Sequence, residues 1–218
     1  MLLEKNNLEE EIINYLLNSP TDWARVVESY KNVYGDQKVD EHFAGLLAEV
    51  NLRLKLEDLS TRYSERLMLD PIKHEAETDN YLFLNINNKF FIEDKRNNKT
   101  HSELDEFAII DGLPVLFEVK TGSYKDGSRV LEKNNHRKIQ YAMRLDRVEY
   151  LIRPLEEYFG SKCGYVLLIP QDYIYPYSSL QRELIANNGI ISSLGFKRKE
   201  FRYNIIPELI RDFNFIQD

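Results

Sequence analysis

The sequence predicts an α/β fold, in which a mixed β-sheet is flanked by helices and a further helical region lies at the N-terminus. Apolar residues recur with helical spacing through most of the first 70 residues, whereas short apolar runs of strand length begin near residue 81. A helical stretch over about 135–159 precedes a last buried run at 164–170. Strand, helix and strand in succession predict a crossover onto the same sheet.

The elements are expected in a definite order. Helices are predicted over 8–17, 23–34 and about 40–69, the last ended by Asp70-Pro71. Strands at 81–86 and 89–92, a polar loop over 94–101 and a β-hairpin over 102–122 follow, and then a helix over 135–159 that Pro154 bends or divides and Gly160 stops. After the strand at 164–170, a helix over 178–186, an edge strand over 196–203 and a helix from Pro207 complete the chain. We expect residues 1–77 to form a helical region packed on a core of residues 78–218, within one compact domain.

The hairpin carries the clearest signal for chemistry. Asp111-Gly112 lies between two apolar runs, which is a strong short-range hairpin pattern. A loop centred on Gly112-Leu113 would pair Asp105 with Lys120 and Phe107 with Glu118. Phe107 and Ile109 would then lie on one face of the first arm, and Leu104, Ala108 and Ile110 on the other.

Asp105, Glu118 and Lys120 are thereby predicted to lie together at one end of the hairpin. Charged groups on buried strands are costly to desolvate unless they are paired or bind a metal. Carboxylate oxygens suit hard cations, so the expected metal is Mg²⁺, with Mn²⁺ as a substitute, and Lys120 would assist an attacking water. The alternative is an ordinary cross-strand ion pair without catalysis.

With these residues the segment 102–122 resembles the PD-(D/E)XK nucleases, whose core is restriction-endonuclease-like, and most of all the archaeal Holliday junction resolvase branch. The resemblance implies a Mg²⁺-dependent deoxyribonuclease, an endonuclease by expectation, with Asp105 and Glu118 as metal ligands, Lys120 as the catalytic lysine and the carbonyl of Val119 as a further ligand. It also implies DNA as substrate, possible action on branched DNA and a homodimer. The usual Pro before the Asp is absent here.

Many members of these nucleases add a glutamate from an upstream helix. Glu49 is our first choice, because Gly45 one turn earlier would let the helix approach the sheet; Glu65 is the rival. A glutamine on the helix after the motif also acts in some branches, and Gln140 is placed for that role, although a surface glutamine is an equal alternative.

The charge distribution favours contact with DNA just after the hairpin. The chain carries a net charge of −7, and residues 1–77 hold 16 acids against 9 bases. Residues 120–147, in contrast, hold eight bases against three acids. Basic charge beside a metal site suits a phosphate backbone, although a mixed solvated helix face is the alternative. The candidate nucleic-acid contacts are Lys125, Arg129, Lys133, Arg137, Lys138, Gln140 and Arg144.

Several classes of protein are disfavoured. The chain contains one cysteine, Cys163, so it can form no internal disulfide and no cysteine-rich metal cluster. It lacks a P-loop, so no nucleotide cofactor is expected, and it lacks an apolar run of membrane-spanning length or a signal peptide. We therefore expect a soluble intracellular protein, cytoplasmic or nucleoid-associated. The competing class is a non-catalytic DNA-binding or partner-docking module that retains the nuclease fold.

Overall fold

The computed structural model describes residues 15, 18–34, 43–72, 75–86, 89–97, 99–121, 137–170, 182–184 and 189–194. Its helices are α1 (Trp23–Tyr34), α2 (Phe43–Arg62) and α3 (Leu145–Phe159). Its strands are β1 (Leu67–Leu69), β2 (Ala76–Glu77), β3 (Tyr81–Ile86), β4 (Lys89–Asp94), β5 (Lys99–Leu104), β6 (Glu106–Ile110), β7 (Leu113–Val119), β8 (Gly164–Ile169) and β9 (Gly189–Ser193). This is the predicted α/β class, with a mixed sheet flanked by helices.

The mixed sheet has five strands in the order β1-β6-β7-β8-β9. Strand β6 is antiparallel to both of its neighbours, β1 and β7, whereas β7, β8 and β9 run parallel. The connection from β7 to β8 contains α3, which confirms the predicted crossover. Strands β7 and β8 are central, and all six residues of β8 are buried. Such two-sided burial explains their continuous apolar sequence.

Strands β2, β3, β4 and β5 form a second, antiparallel sheet. The chain passes from this sheet to the mixed sheet at Asp105, a bend between the last residue of β5 and the first residue of β6. Asp105 is therefore held where the two sheets meet.

The two faces of the mixed sheet bury separate cores. Val115, Phe117 and Val119 of β7 pack in one core with α1 and α2. Leu116 packs in the other, together with the buried stripe of α3, the second sheet and the single cysteine, Cys163. Burying each such side chain contributes about 1.5–3 kcal/mol. Both faces of β7 are therefore packed against other elements along the strand, up to the candidate site residues at its end.

The hairpin register differs from the prediction by two residues. Asp111 and Gly112 both have positive φ, at 51° and 80°, so they form the two central residues of the turn and Ile110 pairs with Leu113. Phe107 consequently pairs with Leu116, and the predicted pairings of Phe107 with Glu118 and of Asp105 with Lys120 are wrong. Phe107 and Ala108 still lie on opposite faces of the first arm as predicted, because a shift of two residues keeps the alternation of a strand.

Four other expectations about elements are corrected. Residues 67–69 form β1 instead of ending the predicted helix, because they pair with β6. Residues 99–101 of the predicted polar loop and residues 102–104 of the predicted hairpin form β5, and Leu104 packs in the same core as Phe107 because the chain bends at Asp105. The helix predicted over 135–159 is divided at 143–144 instead of at Pro154, which lies buried inside α3. Strand β9 was not predicted.

Other expectations are confirmed or fall outside the described residues. Helix α1 begins as predicted, with the Arg25 backbone N–H donating to Asp22 Oδ1 at 3.2 Å, and α3 ends at Gly160 with φ of 63°. The predicted elements over 196–203 and from Pro207, and most of those over 8–17 and 178–186, lie outside the described residues. Among the helices that are described, none has the length and apolar character needed to cross a membrane.

Candidate active site

The candidate site lies at the open end of the hairpin, opposite the Asp111-Gly112 turn. The backbone ladder between β6 and β7 ends with the pair Glu106 and Phe117. Beyond this pair, the side chain of Asp105 replaces a backbone partner, because its Oδ2 accepts a hydrogen bond of 2.6 Å from the backbone N–H of Val119. This bond holds the Asp105 carboxylate against the end of β7, beside Glu118.

Lys120 brings the site residues together. Its Nζ lies 2.5 Å from Glu118 Oε1 and 3.7 Å from Asp105 Oδ2, and it donates to the carbonyl oxygen of Val119 at 3.0 Å. The backbone N–H of Lys120 donates to Leu168 of β8, which fixes the chain direction at this point. Three oxygens from the predicted metal ligands therefore surround one cationic position.

Burial shapes the electrostatics of this group. The side chain of Glu118 is 7% exposed and that of Asp105 is 15% exposed. Burial raises the pKa of Asp105, and the nearby Glu118 charge adds to this, although the Lys120 ammonium opposes it. Burial would lower the pKa of Lys120, but the charges of Asp105 and Glu118 outweigh it and raise that pKa. Lys120 is therefore a cation at neutral pH.

Glu49 approaches the group from α2. A Cβ atom placed on Gly45 would lie 4.0 Å from Glu49 Oε1 and 4.0 Å from Thr121 Oγ1, so both side chains lie close to this glycine. The charge of Glu49 also helps to raise the pKa of Lys120. The rival, Glu65, lies in the turn before β1, next to Arg66, which bonds to Asp111 at the far end of the hairpin. Six strand residues, or about 20 Å, separate that end from the candidate site.

An acidic cavity of about 290 Å³ opens beside Asp105, between α2 and the junction of the sheets. Arg53 is the basic residue that lines it. Its guanidinium bonds to Asp70 Oδ1 at 2.8 Å, to Glu57 Oε1 at 2.9 Å and to Glu106 Oε2 at 3.2 Å. Burial raises the pKa of Glu106 to about 7, although Arg53 opposes the shift. Arg53 thereby holds α2 against the residue that follows Asp105.

Sequence reasoning missed Arg53. The available signal is its spacing of four residues from both Glu49 and Glu57, which places these charges on one face of a helix. Its bonds to Asp70 and Glu106 depend on the tertiary fold and leave no pattern in the sequence.

The predicted nucleic-acid contacts are divided between described and undescribed residues. Arg137, Lys138 and Gln140 are exposed on the helical turn over 137–142. Arg144 is exposed at the start of α3 and forms an ion pair with Asp146 at 2.6 Å. Lys125, Arg129 and Lys133 lie outside the described residues.

The oxygen set fits a hard divalent cation. Across the part of the chain that the structure describes, no group of three or more His, Cys, Asp or Glu side chains is arranged to hold a metal ion. Mg²⁺ does not require one, because it is usually bound through one or two carboxylates and keeps several waters. Asp105, Glu118 and the Val119 carbonyl meet that smaller requirement.

Comparison of the chain with protein-family models, with curated proteins and with solved structures gives no match.

Proposed function

We propose that this protein is a metal-dependent nuclease that hydrolyses DNA phosphodiester bonds with a restriction-endonuclease-like core. The observation that carries the proposal is the convergence of Asp105 Oδ2, Glu118 Oε1 and the Val119 carbonyl oxygen on the ammonium of Lys120. These are the four groups that the PD-(D/E)XK resemblance implies. They come from a hairpin arm and the bend before the other arm, as that resemblance requires.

Each residue has a defined part in the proposed reaction. Asp105, Glu118 and the Val119 carbonyl would hold Mg²⁺ or Mn²⁺, which supplies positive charge to the scissile phosphate and acidifies a bound water. The Asp105 carboxylate is kept in position by the Val119 N–H. Lys120, protonated because two carboxylates raise its pKa, can donate to a phosphate oxygen or orient the attacking water.

Glu49 extends the acidic wall of the site from α2 and is the proposed fourth residue. The exposed side chains of Arg137, Lys138, Gln140 and Arg144 are proposed to contact the DNA backbone. Action on branched or junction DNA and assembly as a homodimer are parts of the same proposal, and they follow from the resemblance alone.

The test is cleavage of a labelled panel that contains a four-way junction, a linear duplex, a circular duplex and a single strand. The reactions contain Mg²⁺, Mn²⁺ or a chelator, with Asp105→Asn and Glu118→Gln beside the wild type. We expect metal-dependent cutting that falls by about 10²-fold or more in both variants with little loss of folding stability. Glu65→Gln, at the far end of the hairpin, is the control and should cut like the wild type.

Full activity in either purified site variant would end the assignment. Tight DNA binding without cutting of any substrate would favour the non-catalytic module instead.

A further inference from the structure

A run of tyrosine and arginine residues follows the candidate site in the sequence, over residues 141–153. Tyr141, Arg144, Arg147, Tyr150 and Arg153 follow one another at intervals of three residues, and we call them the tyrosine–arginine surface. Within α3, Arg147, Tyr150 and Arg153 are i,i+3 neighbours and therefore adjacent along the helix. The residues of α3 that face the core are instead Val148, Leu151, Pro154 and Leu155.

The aromatic rings on this surface are open to solvent. Tyr141 is 54% exposed and Tyr150 is 44% exposed, so a large part of each side chain is open to solvent. The guanidinium of Arg147 lies 5.8 Å from the Tyr141 ring centre and 5.4 Å from that of Tyr150, and Arg144 also lies 5.8 Å from Tyr141. Rings and guanidinium planes thus alternate along the surface.

The charge of the surface is opposite to that of the chain. Residues 137–153 contain five bases (Arg137, Lys138, Arg144, Arg147 and Arg153) and two acids (Asp146 and Glu149), whereas the whole chain carries −7. Asp146 is paired with Arg144. Within the described part of the chain, neither Arg147 nor Arg153 makes an ion pair, so both guanidinium groups are available to phosphates.

Two contacts connect the surface to the two sheets between which Asp105 lies. The hydroxyl of Tyr165, on β8, donates to the carbonyl of Ala142 at 3.1 Å, next to Tyr141. At the other end, the ring of Tyr150 stacks on that of His101 at 3.9 Å, and its hydroxyl donates to the His101 carbonyl at 3.0 Å. His101 lies in β5, four residues or about 13 Å before Asp105.

A groove continues the surface past Tyr150. It has a volume of about 890 Å³, and it runs between α3 and the start of β5. The register of β4 and β5 shifts at Ile92 and Glu93, so His101 is an extra residue in the ladder and its side chain turns towards α3. The groove itself is balanced in charge, because Arg96, Lys99, Arg153 and Lys162 are matched by Asp94, Asp146, Glu149 and Glu156, and Arg96 is paired with Asp94 at 2.6 Å.

We infer that the tyrosine–arginine surface binds a single-stranded segment of the nucleic-acid substrate, close to the proposed cleavage site. The exposed Tyr141 ring can gain by stacking on an unpaired base, and guanidinium groups bind phosphates, which is how proteins hold single strands; the Tyr150 ring already stacks on His101. The bases of a duplex are already stacked on one another, so an exposed tyrosine ring would gain little stacking energy from a duplex. Tyrosine and arginine are also enriched at protein interfaces, so the choice of nucleic acid over a protein partner rests on the excess of five bases over two acids in residues 137–153, which suits a phosphate backbone. The identification of the substrate as DNA rests on the proposed function.

The experiment measures binding separately from cutting. Fluorescence anisotropy of a labelled 15-nucleotide thymidine strand and of a labelled hairpin duplex is recorded with the full chain in chelator, at several salt concentrations. We expect the wild type to bind the single strand at least tenfold more tightly than the duplex.

Variants then test the two kinds of contact. Tyr141→Leu should weaken single-strand binding about tenfold, whereas Tyr141→Phe, which keeps the ring, should restore most of it. Arg147→Gln and Arg153→Gln should each reduce the slope of log affinity against log salt by about 0.7, the value for one lost phosphate contact. Arg66→Gln, at the far end of the hairpin, removes an equal charge and should leave this slope unchanged.

Equal or tighter binding of the duplex would overturn the inference, as would unchanged affinity in Tyr141→Leu. If Tyr141→Leu lost self-association but kept its affinity for DNA, the surface would be a protein interface. That result would also overturn the inference. Single-strand binding without any cutting would defeat only the proposed catalysis. Cutting of a duplex without single-strand binding would defeat only this inference.

Discussion

At the scale of single residues, the candidate site depends on one cation surrounded by oxygens. Lys120 satisfies the charges of Asp105 and Glu118, two carboxylates that burial would otherwise penalise. A divalent cation in the same position would satisfy them equally and would release the ammonium towards substrate. The same three oxygens can therefore serve two cations in turn.

The substitution Lys120→Ala separates these two roles. We expect the cutting rate to fall by about 10²-fold, because the variant loses a donor to the reacting phosphate or water. The Mg²⁺ concentration for half-maximal cutting should stay constant or fall, because the ammonium no longer competes for the carboxylates. A magnesium titration of the rate measures both quantities, with Lys162→Ala as the control. A large rise in the magnesium requirement would give Lys120 a role in holding the metal.

Lys55 on α2 makes stability depend on pH outside the site. The residue is 6% exposed, its Nζ donates to the Ser19 carbonyl at 3.0 Å, and burial lowers its pKa to about 8 from 10.5. Between these two values the unfolded chain binds the proton that the folded chain has lost, so the contribution of Lys55 to stability rises with pH. Below pH 8 both states are protonated and the contribution is constant.

Lys55→Met should remove this rise. Urea unfolding of wild type and variant at pH 7.5 and pH 9.5 gives the difference in unfolding free energy at each pH. We expect the difference to move in favour of the wild type at the higher pH. A difference that is the same at both values would show that Lys55 titrates normally in the folded protein.

At the scale of elements, β7 carries two of the four converging groups, Glu118 and the Val119 carbonyl, and Lys120 follows it directly. The sequence predicted this strand and its partner because the Asp-Gly turn and the apolar runs are local patterns. The sequence did not determine the register of the pairing, because an error of one residue in the centre of the turn shifts the partner of every strand residue by two positions.

Strands β5 and β9 were not predicted for a different reason. Lys99-Thr100-His101-Ser102 is polar and becomes a strand only through its pairing with β4, and β9 is a short run that depends on β8.

Gly45 of α2 lies near Glu49 and Thr121, but the packing there does not require a glycine. A Cβ at this position would meet Glu49 Oε1 and Thr121 Oγ1 at 4.0 Å, which is ordinary contact, so Gly45→Ala should be tolerated. We expect it to raise stability by about 1 kcal/mol, since alanine is the better helix former, and to leave cutting unchanged. Gly45→Leu should displace Glu49 and reduce cutting. Thermal unfolding gives the stability of both Gly45 variants, and the cleavage assay gives their cutting rates. Equal cutting by both variants would show that Glu49 takes no part in the proposed reaction.

At the scale of the whole molecule, Asp105 lies where two sheets meet, and Arg53 ties that junction to α2. The sequence identified Asp105, Glu118 and Lys120 because a hairpin brings them together within 16 residues. It could not identify Arg53, whose partners Asp70 and Glu106 lie 17 and 53 residues away. Local patterns thus predicted that Asp105, Glu118 and Lys120 lie together, and long-range packing supplied the support of this group.

A matched pair of substitutions measures that support. Arg53→Leu leaves the largely buried Glu106 without its partner, and we expect it to lower the free energy of unfolding by about 3 kcal/mol. Arg25→Leu breaks an exposed pair with Asp58 and should cost less than about 1 kcal/mol. Urea unfolding at pH 7 compares them. Equal losses would show that Arg53 is only a surface residue of α2.

The burial of Cys163 has a practical consequence for labelling studies. It is the single cysteine of the chain, it is 5% exposed, and burial raises the pKa of its thiol to about 12. Thiol reagents react with the thiolate, so two properties protect the native sulfur: it is poorly accessible to solvent, and it is protonated at neutral pH. A cysteine introduced on the tyrosine–arginine surface could therefore carry a dye or spin label selectively, without replacement of the native residue.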